Sequence, residues 1–371
     1  MNATGIEWAE AVWNPVVGCT RVSEGCRNCY AERFGARIAN AALVRPMVQR
    51  TSRQAAYIIA MQRNGAGDGR REVRGSALPL WSNTVVCMDS ALDEPLRMRE
   101  PRRIFVNSQS DLFHEQVPFE YLDMVFAAMA LSPQHRFLVL TKRPERMAEY
   151  TTRDPGEIVD AIAGGIHALG DVAAYGSRAG PAREKWERDA QDQFQSIAGR
   201  ARPRGYPLPN LWLGVSVEDQ ATAETRIPLL LECPAAVRWV SYEPALGPLD
   251  LDFALLSWRH LLHWVVCGGE SGPHARPAHR DWFRAVRDQC AVAGVPFFFK
   301  QWGEWAPFSY TGRPLPRAHK WGDGSYSELV GKKLAGRVLD GRTHAEYPAG
   351  GEETSRIVPR EDAAPTVNEI A

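Results

Sequence analysis

Leu211-Trp212-Leu213-Gly214-Val215-Ser216-Val217, seven residues without a charge and closed by Glu218, is the run on which the fold turns. A strand wetted on one face alternates apolar and polar residues, whereas a strand covered on both faces reads as a continuous apolar run. Similar runs recur at 104–107 (Ile-Phe-Val-Asn), 137–140 (Phe-Leu-Val-Leu), 237–241, 264–267 and 295–299, and an earlier one at 11–17 leads into a loop bearing cysteines. Helical stretches separate them. Over 119–131, Phe119, Leu122, Val125, Phe126 and Met129 fall on one stripe, and over 281–293 Asp281 is the expected N-cap and Gly294 the expected stop. This alternation predicts an α/β chain built on a parallel sheet, either doubly wound or a partial or full (β/α) barrel with helical insertions.

Polar residues collect at the same end of each run. They are Asn107-Ser108-Gln109-Ser110-Asp111, then Thr141-Lys142-Arg143, then Ser216 with Glu218, then Glu243, then Gly268-Gly269-Glu270-Ser271-Gly272, and finally Lys300-Gln301-Trp302. In α/β barrels the chemistry is assembled at the C-terminal ends of several strands, so this set predicts an active-site face. A single member taken alone also reads as a helix cap or a surface loop residue.

Cys19, Cys26 and Cys29 are packed into eleven residues of the loop after 11–17, with Gly18 and Gly25 in position to let the backbone turn tightly. Thiolates select zinc or iron–sulfur clusters over hard cations. Three of them leave one coordination position for something else, because a closed structural zinc site takes four ligands. The residues admit three states: a [4Fe–4S] cluster with one open iron, a Zn2+ site completed by a distant ligand such as His114, or free thiols. Cys87, Cys233, Cys267 and Cys290 are scattered among apolar neighbours and read as small buried hydrophobes.

The 371 residues carry 44 basic and 44 acidic side chains, so no bulk charge draws the chain toward nucleic acid. Residues 1–10 lack an apolar segment of a secretory signal, and no run of about 18 apolar residues suggests a membrane span. With an odd number of cysteines, three of them clustered, a reducing cytoplasmic setting is expected. One domain is expected over 1–348, with insertions at about 39–80 and 151–208, the second partly helical around 182–198. Residues 349–371, poor in large apolar side chains, read as a disordered tail.

A three-cysteine loop after the first strand of an α/β barrel resembles the radical S-adenosylmethionine (radical SAM) superfamily. The wording of the chain is similar to a phage- and prophage-associated three-Cys-motif family. The matching phrases are Ile6-Glu7-Trp8, Trp13-Asn14-Pro15-Val16-Val17-Gly18-Cys19, Cys26-Arg27-Asn28-Cys29-Tyr30-Ala31-Glu32, the stretch from Val106 to His114, Leu140 to Arg146, Leu213 to Asp219, Glu243-Pro244, Gly268 to Gly272, and Phe298 to Gly303. Two features depart from the superfamily pattern: the first cysteine gap is six residues rather than three, and Gly-Gly-Glu follows a late strand instead of the second.

The resemblance implies Cys19, Cys26 and Cys29 as cluster ligands and S-adenosylmethionine as cofactor. Within that scheme Asn107, Ser108, Asp111, Ser216, Glu218, Glu243 and Glu270 are candidates, by their places at the strand ends, for the cofactor's charged groups, and the superfamily's Gly-Gly-Glu role is not carried over to Glu270. Lys142, Arg143 and Lys300 become candidate catalytic cations for a substrate phosphate or carboxylate, or else ion-pair partners of the rim carboxylates. A reductant protein would supply the electron. A nucleotide or nucleic acid is the first substrate class, from the phage association, the arginines of 70–74 and stacking surfaces at Trp302 and Trp305. Two other readings are a zinc-stabilised nucleic-acid-binding or accessory protein, and a metal-dependent hydrolase using Asp111, Glu218, Glu243 and Glu270.

Overall fold

The computed structural model describes residues 2–61, 70–73, 76–79, 81–171, 188–192, 194, 206–252, 255, 261–307 and 317–349. Seven strands, β1 (Ala11–Trp13), β2 (Arg103–Val106), β3 (Arg136–Thr141), β4 (Leu211–Val217), β5 (Val237–Tyr242), β6 (Trp264–Gly268) and β7 (Phe297–Gln301), pair in parallel and in chain order. A short strand at Asn2–Ala3 adds antiparallel to β1. Among the described residues β7 does not pair with β1, so the sheet forms an open, partial parallel barrel. Its helices are α1 (Tyr30–Leu43), α2 (Ser52–Met61), α3 (Phe119–Ala130), α4 (Pro144–Thr151), α5 (Pro155–Asp171), α6 (Gln220–Glu232) and α7 (Arg280–Ala293).

The period-two geometry of a strand sends alternate side chains to opposite faces, and both faces here are apolar. Outward, Ile104, Val106, Leu211 and Leu213 meet Leu122, Val125 and Phe126 of α3 and Ile158, Ile162 and Ile166 of α5. Inward, Phe105, Trp212, Trp239, Trp264 and Phe298 fill the barrel together with Trp8 from the N-terminal segment. The Trp8 ring centroid lies 4.7 Å from Phe105 and 5.1 Å from Trp239. Indoles thus plug the barrel beneath its C-terminal mouth.

The 11–17 run is shorter as a strand than its apolarity predicts. Pro15 has no N–H to give a ladder and holds its predecessor extended, so the chain leaves the sheet after Trp13. Val16–Val17 then pairs with Val86–Cys87 instead. At α7 the N-cap is His279, whose side chain accepts the Asp281 N–H, and Asp281 lies in the first turn; Gly294 ends the helix at φ 69°. Within the expected second insertion, α5 is packed into the helical layer of the barrel, and 188–192 are helical; residues 172–187 and 195–205 lie outside the described residues. The first insertion holds α2 and a hairpin of Arg70–Val73 with Ser76–Pro79. Residues 350–371, most of the expected tail, also lie outside the described residues, as does Arg74. No described helix is long and apolar enough to cross a membrane.

Three of the four scattered cysteines, Cys233, Cys267 and Cys290, are buried, and Cys87 is half-buried. His135, also buried, bonds the Pro95 carbonyl through Nε2. Burial holds it below its ordinary value of 6.5, and His344 is lowered for the same reason. An unfolded chain takes up these protons near pH 6.5 while the folded chain resists them, so their contribution is complete above that pH and is lost as pH falls below it. Urea unfolding between about pH 7.5 and 5.5 is expected to show stability falling with acid, by at most ~1.4 kcal/mol per pH unit for each histidine. His135→Asn should flatten the profile; an unchanged slope would remove His135 from the account.

Candidate functional site

Because the strands are parallel, their C-terminal ends gather at one mouth, and a cavity of about 410 Å³ opens there. Asn107, Ser108 and Asp111 after β2, Lys142 and Arg143 after β3, Ser216 of β4, Ser241 and Glu243 of and after β5, Gly269 and Glu270 after β6, and Lys300 of β7 all line it. So do Cys19, Cys26 and Cys29. Of the residues named above as cluster ligands, cofactor-binding groups or catalytic cations, Glu218 alone is missing from the wall. Ser216 and Ser241 stand side by side because β4 and β5 pair in that register.

Most of the charged residues on this face hold the cysteine loop rather than stand free. Arg143 reaches Asp111 at 3.1 Å, Glu115 at 3.0 Å, and the carbonyl and hydroxyl oxygens of Thr20 at 3.1 and 2.6 Å, and its Nη1 lies 3.7 Å from Cys19 Sγ. Asp111 in turn accepts from the Thr141 hydroxyl and the Lys142 N–H. Glu218, fully buried, accepts from the Ser23 hydroxyl at 3.0 Å, from Arg226 at 3.1 and 3.2 Å, and from the Lys142 ammonium. Glu270 accepts from the Asn28 amide at 3.1 Å and from Arg276 at 2.6 and 2.9 Å. Each cysteine therefore has a neighbour within three positions tied to a carboxylate after a different strand: Thr20 through β2 and β3, Ser23 to β4, Asn28 to β6.

Asp111, Glu218 and Glu270 are thus bonded to the loop or to the side chains that hold it, while Asp111 and Glu270 also line the cavity. Arg143 and Lys142 are ion-paired with the rim carboxylates, the alternative named for them above, and both line the cavity. Lys300 also pairs, through two contacts of 2.8 and 2.9 Å with Glu243, but this pair faces the cavity and grips no part of the loop. Ser216 donates to the Glu243 carbonyl and Ser108 to Asn14 Oδ1. Asn107 accepts the Val16 N–H on Oδ1, while its buried Nδ2 has no partner, and the same is true of Trp8 Nε1; both residues line the cavity. Trp302 and Trp305, expected as stacking surfaces, are spoken for: Trp302 is buried against Phe283 and Phe299 and bonds Val338, and Trp305 bonds the Ala275 carbonyl. Trp8 is the indole that reaches the site. Sequence reading missed it, together with Thr20, Ser23, Asn28, Arg226 and Arg276. Only Asn28, lodged between two cysteines, carried a signal that could have been used.

The two loop glycines serve different ends. Gly18 adopts φ +98°, and a Cβ there would lie 2.3 Å from the Thr84 carbonyl oxygen, so it makes a turn no other residue makes without strain. Gly25 is needed for closeness instead, since its Cβ would strike the Glu218 carboxylate at 2.5 Å.

Burial pushes the Cys19 thiol up to about 12, with Asp111 adding to the rise and Arg143 opposing it. Burial also raises Cys29, against the backbone N–H groups of Glu32 and Ala31 at the start of α1. These thiols are therefore protonated at neutral pH in the free chain, and any soft metal bound here would have to displace those protons. Glu270 moves the other way: burial works to raise it, but the hydrogen bonds from Arg276 and Asn28 outweigh that and keep it ionised.

The donor set is soft, and its spacing bears on what it could hold. A zinc ion bound at about 2.3 Å brings its sulfurs to within about 3.8 Å of each other. Among the described residues the three Sγ atoms do not all lie within 4.8 Å of one another. A cluster tolerates wider spacing because each thiolate binds a different iron. His114 does not complete a zinc site here. Its Nδ1 accepts the Gln116 N–H and its Nε2 faces the Thr20 hydroxyl at 2.9 Å, which occupies both ring nitrogens. Each of the four carboxylates named for a divalent-metal site is bonded to a lysine or an arginine.

Residues 3–348 match the family described as Protein of unknown function (DUF5131). The chain belongs to that family. The match takes in the cysteine loop and all seven strands together with every residue placed at the mouth above. No curated protein and no solved structure matches the chain.

Proposed function

We propose that this protein is an iron–sulfur enzyme of the radical SAM type, its open barrel the superfamily's barrel. Cys19, Cys26 and Cys29 hold a [4Fe–4S] cluster, and the cavity behind them admits S-adenosylmethionine and a substrate, with a nucleotide or nucleic acid as first candidate. The observation that supports this reading is three cysteine thiols, their loop braced from different strand ends, on the wall of one cavity at the mouth of a partial parallel barrel. When bound, the cluster supplies one electron to cleave the sulfonium of S-adenosylmethionine, giving methionine and a 5′-deoxyadenosyl radical that abstracts hydrogen.

The chain's own residues hold and shield. Arg143, Glu218 and Glu270 fix the loop before any ligand arrives, so binding does not have to order it. Lys300 and Glu243 offer one cation and one anion to the cavity, a complement to a zwitterion or to an anionic group beside an ammonium. Asn107 Nδ2 and Trp8 Nε1 are two donors awaiting acceptors. The Trp8 and Phe105 rings close the floor against water, which a reactive radical requires. A reducing cytoplasm is the setting in which such thiols stay free.

Anaerobic purification with iron and sulfide analysis tests the reading. About four irons and four sulfides per chain are expected, from the composition of one such cluster. Cys29→Ala should lose them, and dithionite with S-adenosylmethionine should release 5′-deoxyadenosine from the wild type only. A colourless protein holding one zinc, with no cluster after reconstitution, would sink the proposal in favour of a zinc-stabilised binding protein.

A further inference from the structure

Helix α1 has two apolar sides and only one of them is covered. Ala31, Gly35, Ala36, Ala39 and Ala42 are buried, the alanines in a cluster with Tyr57 and Ile58 of α2. On the other side Phe34 leads, at three- and four-residue spacing, past Arg37 and Ala41 to Val44, and the turn beyond adds Met47 and Val48. Phe34 is 44% exposed, Val44 86%, Met47 78% and Val48 94%. The turn is not loose, because Arg50 bonds the carbonyls of Ala42, Leu43 and Arg45 and holds those side chains outward.

Charge on this element is lopsided in a neutral chain. Residues 19–53 contain seven arginines against Glu24 and Glu32, a balance of +5. Arg21 is spent on Glu32 and Arg53 on Glu94, whereas Arg37 and Arg45 are exposed and have no ion pair among the described residues. The face begins at Cys29, which caps α1, and at 1.5 Å per residue Phe34 and Arg37 stand within about 8–12 Å of it along the axis.

An apolar centre rimmed by unpaired cations is the anatomy of a protein interface. A phosphate backbone would use the arginines but leave Val44, Met47 and Val48 without a contact. We propose that the outer face of α1 and the turn to Val48 is the docking surface for a small acidic electron-transfer protein of the ferredoxin or flavodoxin class. This rests on the reading of the cysteine loop as a cluster site. In the docked complex the donor is oxidised by one electron and the cluster reduced by one; no covalent bond forms or breaks.

The test is a titration of labelled ferredoxin, and separately flavodoxin, into the full-length protein with and without its iron and sulfide. Binding should weaken as salt rises, and Arg37→Glu and the double variant Val44→Glu/Val48→Glu should each weaken it roughly tenfold. The same variants should slow donor-driven formation of 5′-deoxyadenosine while leaving dithionite-driven formation unchanged, which also shows that they fold. Unchanged affinity in both variants would overturn the docking surface. So would failure of the wild type to bind either donor, or a single-stranded oligonucleotide that binds and is lost with the same substitutions. If dithionite yields no product but ferredoxin docks and the variants abolish docking, the surface stands and the radical SAM reading falls.

Discussion

Arg143→Met is expected to cost about 3–5 kcal/mol of folding stability and, on the proposed cluster reading, to lower iron bound at Cys19, because it strips the counter-charge from a buried carboxylate. The Arg143 guanidinium is the common partner of Asp111, Glu115 and both Thr20 oxygens, and it lies against the Cys19 sulfur. Without it Asp111 faces Cys19 uncompensated, a charge that already works to keep that thiol protonated. Arg143→Lys should rescue little, since one ammonium cannot span four acceptors that a planar fork meets at once. Urea unfolding and bound iron are the two readouts. If the Met variant keeps its stability and its iron but loses affinity for a substrate anion, Arg143 is a substrate contact after all.

Glu218→Gln is expected to be nearly as damaging, about 3–5 kcal/mol, although it changes no volume and touches no cavity wall. The substitution leaves Arg226, buried under the loop, and Lys142 without a carboxylate, and it turns one acceptor of the Ser23 hydroxyl into a competing donor. Loss of iron should follow the loss of stability, because Ser23 is the hold on the segment before Cys26. A contact made only to the cofactor would behave differently: affinity for S-adenosylmethionine would fall while the unfolding midpoint stayed put.

The strands were legible because burial on both faces leaves a mark one strand long. The run at 211–217 is the observed β4 without adjustment, and the predicted edges of β2, β3, β5 and β6 fall within a residue of those observed. The runs at 11–17 and 295–299 came out differently at their prolines: Pro15 ends β1 early, and β7 begins only after Pro296, whose carbonyl still serves Val265. The order of strands in the sheet follows from their order in the chain, since each crossover leads to the adjacent place. Within the second insertion α5 has a polar beginning and a glycine pair, and its packing on α3 is what places Ile158, Ile162 and Ile166 in the core.

The amino-acid sequence by itself determined that this is an α/β chain on a parallel sheet, that the strands end in polar residues at one mouth, and that three thiols share one loop there. Those are local properties, written in apolar run length, residue type and spacing. Only the tertiary structure decided which polar residues are tied up and which are available. Arg143, Lys142, Asp111, Glu218 and Glu270 look like chemistry in a list, yet each is satisfied by a partner tens or hundreds of residues away. Glu243 with Lys300, and the donors of Asn107 and Trp8 that have no partner among the described residues, face the cavity without holding the cysteine loop. The physical reason is that a charge's role is set by what neutralises it, and the neutralising partner is chosen by the fold.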